Sequence, residues 1–167
     1  FKIKRNPIKY SEKAKTDAGP IGVAVNGVPI FDPSTQGKAN KTTGKRPHTL
    51  LIGELDKCGG HAGRGDDYHY HVAPLCLIEQ LGQDFVEVKK KPIGFAMDGY
   101  PIHAIGWFDP KNNIEDQLDE CRGYTDVDGT YFYNVMRERN WDILNCFSGK
   151  PQNFAKDNWR PRKDKNG

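Results

Sequence analysis

The 167 residues of this chain contain no long hydrophobic run. A membrane-spanning helix needs about 20 apolar residues in succession, and no stretch approaches that length, so no membrane span is predicted. No apolar leader is visible at the start, because residues 1–7 (FKIKRNP) already alternate as a strand does. Removal of a leader would leave such a start, so its absence does not argue against secretion.

The chain also lacks a strong excess of one charge, since it has 25 Lys and Arg against 22 Asp and Glu. The basic residues concentrate at the two ends and at residues 89–91, without a basic helix or a base-stacking motif. This pattern favours a solvated surface, and no nucleic-acid partner is predicted. The chain also lacks a recognisable elbow that would present a Ser or Cys nucleophile, so a metal-free catalytic site built on histidine and Asp67 is the weaker hypothesis.

Cysteine is scarce: the chain has four, and two of them bound each of two similar segments. Cys58 and Cys76 flank one segment, while Cys121 and Cys146 flank another. This symmetry predicts the disulfides Cys58–Cys76 and Cys121–Cys146 among three possible connectivities, and therefore an extracellular or periplasmic location. The alternative, in which Cys58 is a thiolate metal ligand, is less favoured because Cys121 occupies the same place in a segment without histidine.

Two parts of the sequence repeat each other. Residues 20–30 (PIGVAVNGVPI) recur as residues 92–102 (PIGFAMDGYPI), and residues 55–72 align without a gap with residues 118–135. Self-similarity of this kind predicts an internal duplication and a pseudo-symmetric domain.

The repeats define the expected organisation of the chain. We expect one domain over residues 1–167, with repeat one at about 19–76, repeat two at about 91–146 and a basic tail at 150–167. The fold is predicted to be mainly β with short helices and long loops, either all-β or α+β. Each repeat opens with a strand, an Asn-Gly or Asp-Gly turn and a second strand. Short helices are expected at 75–81 and 152–159.

Three of the five histidines lie within eleven positions: His61, His69 and His71. On an extended strand alternate side chains share a face, so His69 and His71 project together while Tyr68 and Tyr70 point the other way. Two such imidazoles can chelate one metal ion. His61 lies across a glycine-rich stretch that can fold back, so a third nitrogen can complete the site.

The second repeat supplies an internal comparison for this motif. The tyrosines recur as Tyr131 and Tyr133, so their strand face is predicted to belong to the core. The three histidines are replaced together, by Tyr124, Phe132 and Asn134. Their joint replacement indicates a shared role that only the first repeat performs.

Other residues are candidates for the same site. His103 aligns with Phe31 of the first repeat and is a possible fourth ligand, although a lone histidine beside apolar residues is more often a packing residue. Asp66 and Asp67 directly precede the histidine strand. Their carboxylates would fix the tautomer of an imidazole by hydrogen bonding, or they merely end a turn; the sequence favours neither interpretation.

Three imidazoles suit several transition metals, and copper or zinc is expected for a secreted protein. The sequence therefore predicts a secreted metal-binding protein with a three-histidine copper or zinc site, either a metal binder or a metalloenzyme. The alternative is a disulfide-stabilised structural or interaction domain, in which the histidines and tyrosines form a buried hydrogen-bonded network without metal. No substrate or partner is indicated.

Several motifs together resemble the YHYH domain family. They are GVAVNGVPIF (22–31), GELD (53–56), GGH (59–61) and DDYHYHVAP (66–74). The resemblance extends over about residues 6–146 and implies a secreted bacterial protein, without implying a reaction. The second half of this family often repeats the Tyr-His-Tyr-His motif, and its absence at 131–134 argues against a second metal site. For a secreted eukaryotic chain, the sequon at Asn40 would permit a glycan.

Overall fold

The computed structural model describes residue 3 and residues 5–35, 38–63 and 67–151. The predicted mainly β fold with short helices and long loops is confirmed. The strands are β1 (Lys9–Lys15), β2 (Pro20–Ala24), β3 (Pro29–Phe31), β4 (Gly60–His61), β5 (His69–Tyr70), β6 (Gly94–Ala96), β7 (Pro101–His103), β8 (Gly123–Thr125), β9 (Tyr131–Asn134) and β10 (Cys146–Gly149).

The helical segments are short. They are helix α1 (Leu75–Gln83), a π-helical turn (Asp84–Val88) and two 3-10 turns (Pro110–Asn112 and Glu115–Gln117). Helix α1 begins where the sequence predicted, and Gly82 leaves the helical conformation near its end. The helix predicted at 152–159 lies outside the described residues.

An eight-stranded sheet has the order β4-β5-β3-β2-β6-β7-β9-β8. At its centre β2 and β6 pair antiparallel, with Gly22 opposite Ala96 and Gly94 opposite Ala24. A Cβ atom on Gly22 would lie 2.7 Å from the carbonyl oxygen of Phe95, and a Cβ on Gly94 would lie 2.7 Å from that of Val23. The two central strands approach so closely that glycine is required on both sides.

The strand pairing is the same on both sides of this centre. Each central strand continues through a hairpin into β3 or β7, as the repeated sequence predicted. These strands then pair in parallel with β5 and β9, through Ile30 opposite Tyr70 and Ile102 opposite Tyr133. The outer strands β4 and β8 complete the halves by antiparallel pairing. Corresponding segments of the repeats thus occupy corresponding places, and their origin by duplication stays a prediction.

The core lies on the tyrosine face of β5 and β9, as expected. Tyr70, Tyr131 and Tyr133 are buried, while Tyr68 is half-buried and packs against the same cluster. The opposite face is covered as well, since Phe132 is 5% exposed. Strand β9 is therefore packed on both faces.

Two disulfides tie the loops to the sheet. Cys58 pairs with Cys76 and Cys121 pairs with Cys146, with Cα atoms 4.9 and 4.8 Å apart. These are the pairs that the symmetric spacing predicted. In addition, β1 and β10 form a separate two-stranded antiparallel sheet. Across the described ranges, we find no helix with the length and apolar character needed to cross a membrane.

Candidate metal centre

The three histidines come from two adjacent strands and the residue that follows them. His61 on β4 lies directly opposite His69 on β5, and His71 comes one residue after β5 ends. Strand β4 is fixed by Asp56, whose carboxylate accepts hydrogen bonds from the main-chain N–H groups of Cys58 and Gly60. Pairing between the strands brings the three rings together at one edge of the sheet.

The Nε2 atoms of the three rings face one another. The Nε2 atom of His71 lies 3.1 Å from Nε2 of His61 and 3.1 Å from Nε2 of His69. Possible ligand atoms of all three side chains lie within 4.8 Å of one another. His69 and His71 are each 3% exposed, whereas His61 is half-buried, so His61 is the ring that keeps contact with solvent.

Main-chain carbonyl groups determine which nitrogen carries the proton on two rings. Nδ1 of His69 lies 2.8 Å from the carbonyl oxygen of Asp67, and Nδ1 of His71 lies 2.5 Å from that of Asp32. A carbonyl oxygen can only accept, so each Nδ1–H must be the donor. In the neutral ring the lone pair then resides on Nε2 and points into the cluster.

This arrangement fits a bound cation. Converging lone pairs repel one another unless a proton or a metal ion lies between them. Two nitrogen atoms bound to one tetrahedral ion at about 2.0–2.1 Å are about 3.3 Å apart, which is close to the two observed Nε2 separations. The cluster is therefore close to the geometry of a three-histidine site before any ion is considered.

The protonation of His71 also suits metal binding. Burial, together with the neighbouring rings of His69 and His61, lowers the pKa of this imidazole to about 4 against the opposing effect of the hydrogen bond to Asp32. His71 is thus neutral at physiological pH. Only the neutral form can coordinate a metal ion, so little proton competition is expected at this ring.

Two neighbours of the site were missed from the sequence. The Phe31 ring stacks on His69 with centroids 4.1 Å apart and lies edge-on to His71 at 5.8 Å. The main-chain carbonyl of Asp32, the next residue, orients His71. Both belong to the Phe-Asp-Pro triplet at residues 31–33, which recurs at residues 108–110, and this recurrence was the available signal for the segment.

The aspartates singled out before the histidine strand have different outcomes. Asp67 does orient an imidazole, but the contact is made by its main-chain carbonyl, while its side chain belongs to an exposed residue. A carbonyl acceptor is available at any residue type, so the carboxylate was not the informative feature. Asp66 lies outside the described residues.

His103 is not brought together with the three histidines. It lies on β7, is 9% exposed, and its ring centroid is 4.7 Å from that of Phe132. Burial lowers its pKa to about 4, with Lys90 acting in the same direction and Asp126 opposing. Its Nδ1 atom has no hydrogen-bond partner within the described ranges. Its contacts are those of a packing residue.

Comparison with known proteins identifies the family. The model of the YHYH family, described as YHYH protein, matches residues 1–114, and the chain belongs to this family. The match contains the three histidines and ends before β8 and β9, the strands that correspond to β4 and β5. No curated protein and no solved structure matches the chain.

Proposed function

We propose that this chain is a secreted metal-binding protein that holds one copper or zinc ion through Nε2 of His61, His69 and His71. The observation that carries the proposal is the combination of two Nδ1–H groups donated to main-chain carbonyls and three Nε2 atoms that converge. A hydrogen-bonding network made only for packing would place protons between these nitrogens. Here main-chain carbonyls hold the protons of His69 and His71 on Nδ1, away from the facing nitrogens.

The donor set limits the metal. Imidazole nitrogen suits copper and zinc, whereas magnesium and calcium prefer oxygen ligands. The cysteines offer no thiolate, because all four form disulfides. These disulfides also support an oxidising location, outside the cytosol, where copper and zinc are the realistic ions.

The surrounding residues would orient and shield such an ion. A bound ion would supply Lewis acidity or, with copper, a one-electron couple. The chain itself fixes two rings through the carbonyls of Asp67 and Asp32, and it excludes water from His69 with the Phe31 ring. Exposure remaining at His61 leaves one side from which an ion or a small ligand can enter.

Titration calorimetry on metal-stripped protein without an affinity tag tests this proposal. We expect one equivalent of Cu²⁺ or Zn²⁺ to bind, and affinity to weaken on acidification because a protonated imidazole cannot coordinate. His69→Ala and His71→Ala should each remove most of the binding. Asn134→Ala is the matched control, since Asn134 corresponds to His71 in the second repeat, and it should bind as the parent does.

The competing function is a disulfide-stabilised structural or interaction domain without metal. It is favoured by the burial of His69 and His71, which a packing role also explains. An absence of tight binding in the stripped parent would establish this alternative. A site that survives the loss of both His69 and His71 would instead overturn the assignment of the ligands to the histidine cluster.

A further inference from the structure

A second candidate site lies away from the histidine cluster. It is an open groove of about 630 Å³, within the size range of ligand sites in proteins. It runs beside the exposed residue Cys76, and we call it the tryptophan groove. Its aromatic and charged lining consists of Lys57, Glu79, Trp107, Arg137, Glu138 and Trp141.

Side chains from separate parts of the fold hold one wall of the tryptophan groove. The indole N–H of Trp107, after β7, donates to the carboxylate of Glu79 on α1 at 3.1 Å. Arg137, after β9, donates to the Trp107 carbonyl oxygen, and its guanidinium lies 5.6 Å from the Trp107 ring centroid. The wall is therefore ordered by hydrogen bonds before any ligand binds.

Trp141 forms the other aromatic part of the groove in a rare backbone conformation. Trp141 and the preceding Asn140 both have φ of 54°, a left-handed conformation that is unusual for a bulky side chain. Neighbouring contacts keep the main chain there: the Trp141 carbonyl accepts from Ala73 N–H at 2.8 Å, and Met136 N–H donates to the Asp142 carbonyl at 2.7 Å. The fold holds a half-buried indole at the groove despite the strain, which is typical of functional positions.

The charges of the groove indicate what it binds. Lys57 and Arg137 are balanced by Glu79 and Glu138, so the lining offers paired donors and acceptors without a net charge. Sugar hydroxyl groups both donate and accept, and they match such a lining. The C–H groups on the face of a sugar ring carry partial positive charge and pack well against the negative face of an indole.

We propose that the tryptophan groove binds a neutral oligosaccharide. Its open form suits several sugar units of a chain better than an enclosed small molecule. Trp141 provides the stacking surface, and Glu138 and Lys57 bind hydroxyl groups as acceptor and donor. This site does not depend on the metal proposal, because none of its residues belongs to the histidine cluster.

The test uses the full chain, with and without added Zn²⁺, and a panel of cellohexaose, xylohexaose and chitohexaose. Binding is followed by tryptophan fluorescence and calorimetry. Trp141→Gly is the informative variant, because glycine adopts the left-handed conformation without strain while the indole is lost. Trp141 packs against the core, so we expect the variant to melt at a lower temperature than the parent but to stay folded, because relief of strain offsets part of the lost packing. At a temperature where both proteins are folded it should bind the sugar at least about tenfold more weakly, as for loss of a central aromatic contact.

Two further variants make the result specific. Glu138→Gln removes the charge of an exposed carboxylate in the groove and should weaken binding, whereas Tyr10→Ala removes an exposed aromatic on β1 outside the groove and should not. The proposal is overturned if no member of the panel binds, or if Trp141→Gly binds as the parent does. Acidic hexagalacturonate is tested beside the panel, and binding of this sugar alone would equally overturn the assignment to neutral sugars.

Discussion

The two halves of the central sheet share their strand pairing and differ in the side chains at corresponding places. In the first half, Phe31 stacks on His69 with ring centroids 4.1 Å apart. In the second half, the equivalent pair is His103 and Phe132 at 4.7 Å, with the histidine and the phenylalanine exchanged. An aromatic contact is thus made at the same place in both halves, stacked in the first at 27° between ring planes and tilted in the second at 60°. Only the first arrangement places its imidazole beside two others.

The residue after each Tyr-x-Tyr pair also has the same structural role in both halves but a different side chain. His71 donates to the carbonyl of Asp32, and Asn134 binds the main chain of Ile105 through both amide atoms, at 2.8 and 3.0 Å. Each side chain ties its strand to the segment that follows the neighbouring hairpin strand. Asparagine uses its amide fully for this task, whereas histidine has a second ring nitrogen that faces the cluster.

On the tyrosine face of the sheet, the second half has the more extensive buried hydrogen bonding. In the second half, Tyr133 is fully buried and donates to the carboxylate of Asp98, which also accepts from the Gly149 N–H. In the first half, Tyr70 instead accepts a hydrogen bond from the amide of the exposed Asn26. We infer that the second half contributes more to stability, while the first carries the candidate function.

The largest effect is expected from removing the buried tyrosine of the second half. Tyr133→Ala leaves a cavity and an Asp98 carboxylate without one of its donors, and truncation of a buried aromatic side chain costs about 3–5 kcal/mol. Tyr70→Ala, the matched change in the first half, should cost less because Tyr70 is hydrogen-bonded to the exposed Asn26 and its loss leaves no buried carboxylate without a donor. Urea unfolding of both variants measures the difference. Equal losses would remove the distinction between the halves.

Removing each disulfide in turn distinguishes contributions to stability from contributions to metal binding. They span 18 and 25 residues, so chain entropy predicts a similar loss of about 3 kcal/mol for removing either one. Replacement of Cys121 and Cys146 by alanine should cost more than replacement of Cys58 and Cys76, because the former pair is buried and loses packing as well.

Metal affinity should fall more on removal of the Cys58–Cys76 bond than on removal of the Cys121–Cys146 bond. The Cys58–Cys76 bond lies just before β4, so its removal loosens the strand that carries His61 and should weaken metal binding. Removal of Cys121–Cys146 should leave that affinity unchanged in protein that is still folded. Denaturant unfolding and metal titration of both double variants check the two expectations. Metal affinity that falls only with the Cys121–Cys146 bond would refute the division.

Much of this arrangement was predictable because the sequence contains its own comparison. The repeat located both hairpins, and its symmetric cysteines gave both disulfide pairs. Replacement of three histidines together indicated that they form one site, and they do form one cluster. Each inference used side-chain identity, which the sequence states directly.

The remaining features depend on the main chain or on distant contacts. The acceptors for His69 and His71 are carbonyl oxygens, which every residue possesses. The left-handed conformation of Trp141 has no local signal, since neither glycine nor asparagine occupies that position. Pairing of β1 with β10 joins opposite ends of the chain, and the exposed side chains of β1 show no buried face.

The smallest effect on stability at neutral pH is expected from changing His103, the histidine that stands where the first half has a phenylalanine. His103→Phe introduces the residue that the first half has at this place, Phe31. It removes the buried Nδ1 atom that has no partner within the described residues, and should therefore stabilise the protein by about 1 kcal/mol at pH 7.

Acidification should widen this difference. The pKa of His103 is about 4 in the folded chain, with Asp126 and Lys90 as the charges that act on it, and about 6.5 when unfolded. Between these values the unfolded parent binds more protons, so its stability falls as the pH is lowered, by at most about 1.4 kcal/mol per unit for this group. His103→Phe lacks this contribution, and the ionisable groups that the two proteins share cancel in the comparison. Thermal unfolding of the pair at pH 7, 6 and 5 measures the gap. A difference in stability that stays constant with pH would show that His103 is not the buried neutral imidazole that the structure indicates. A variant less stable than the parent at every pH would show that packing at this place requires histidine and does not accept phenylalanine.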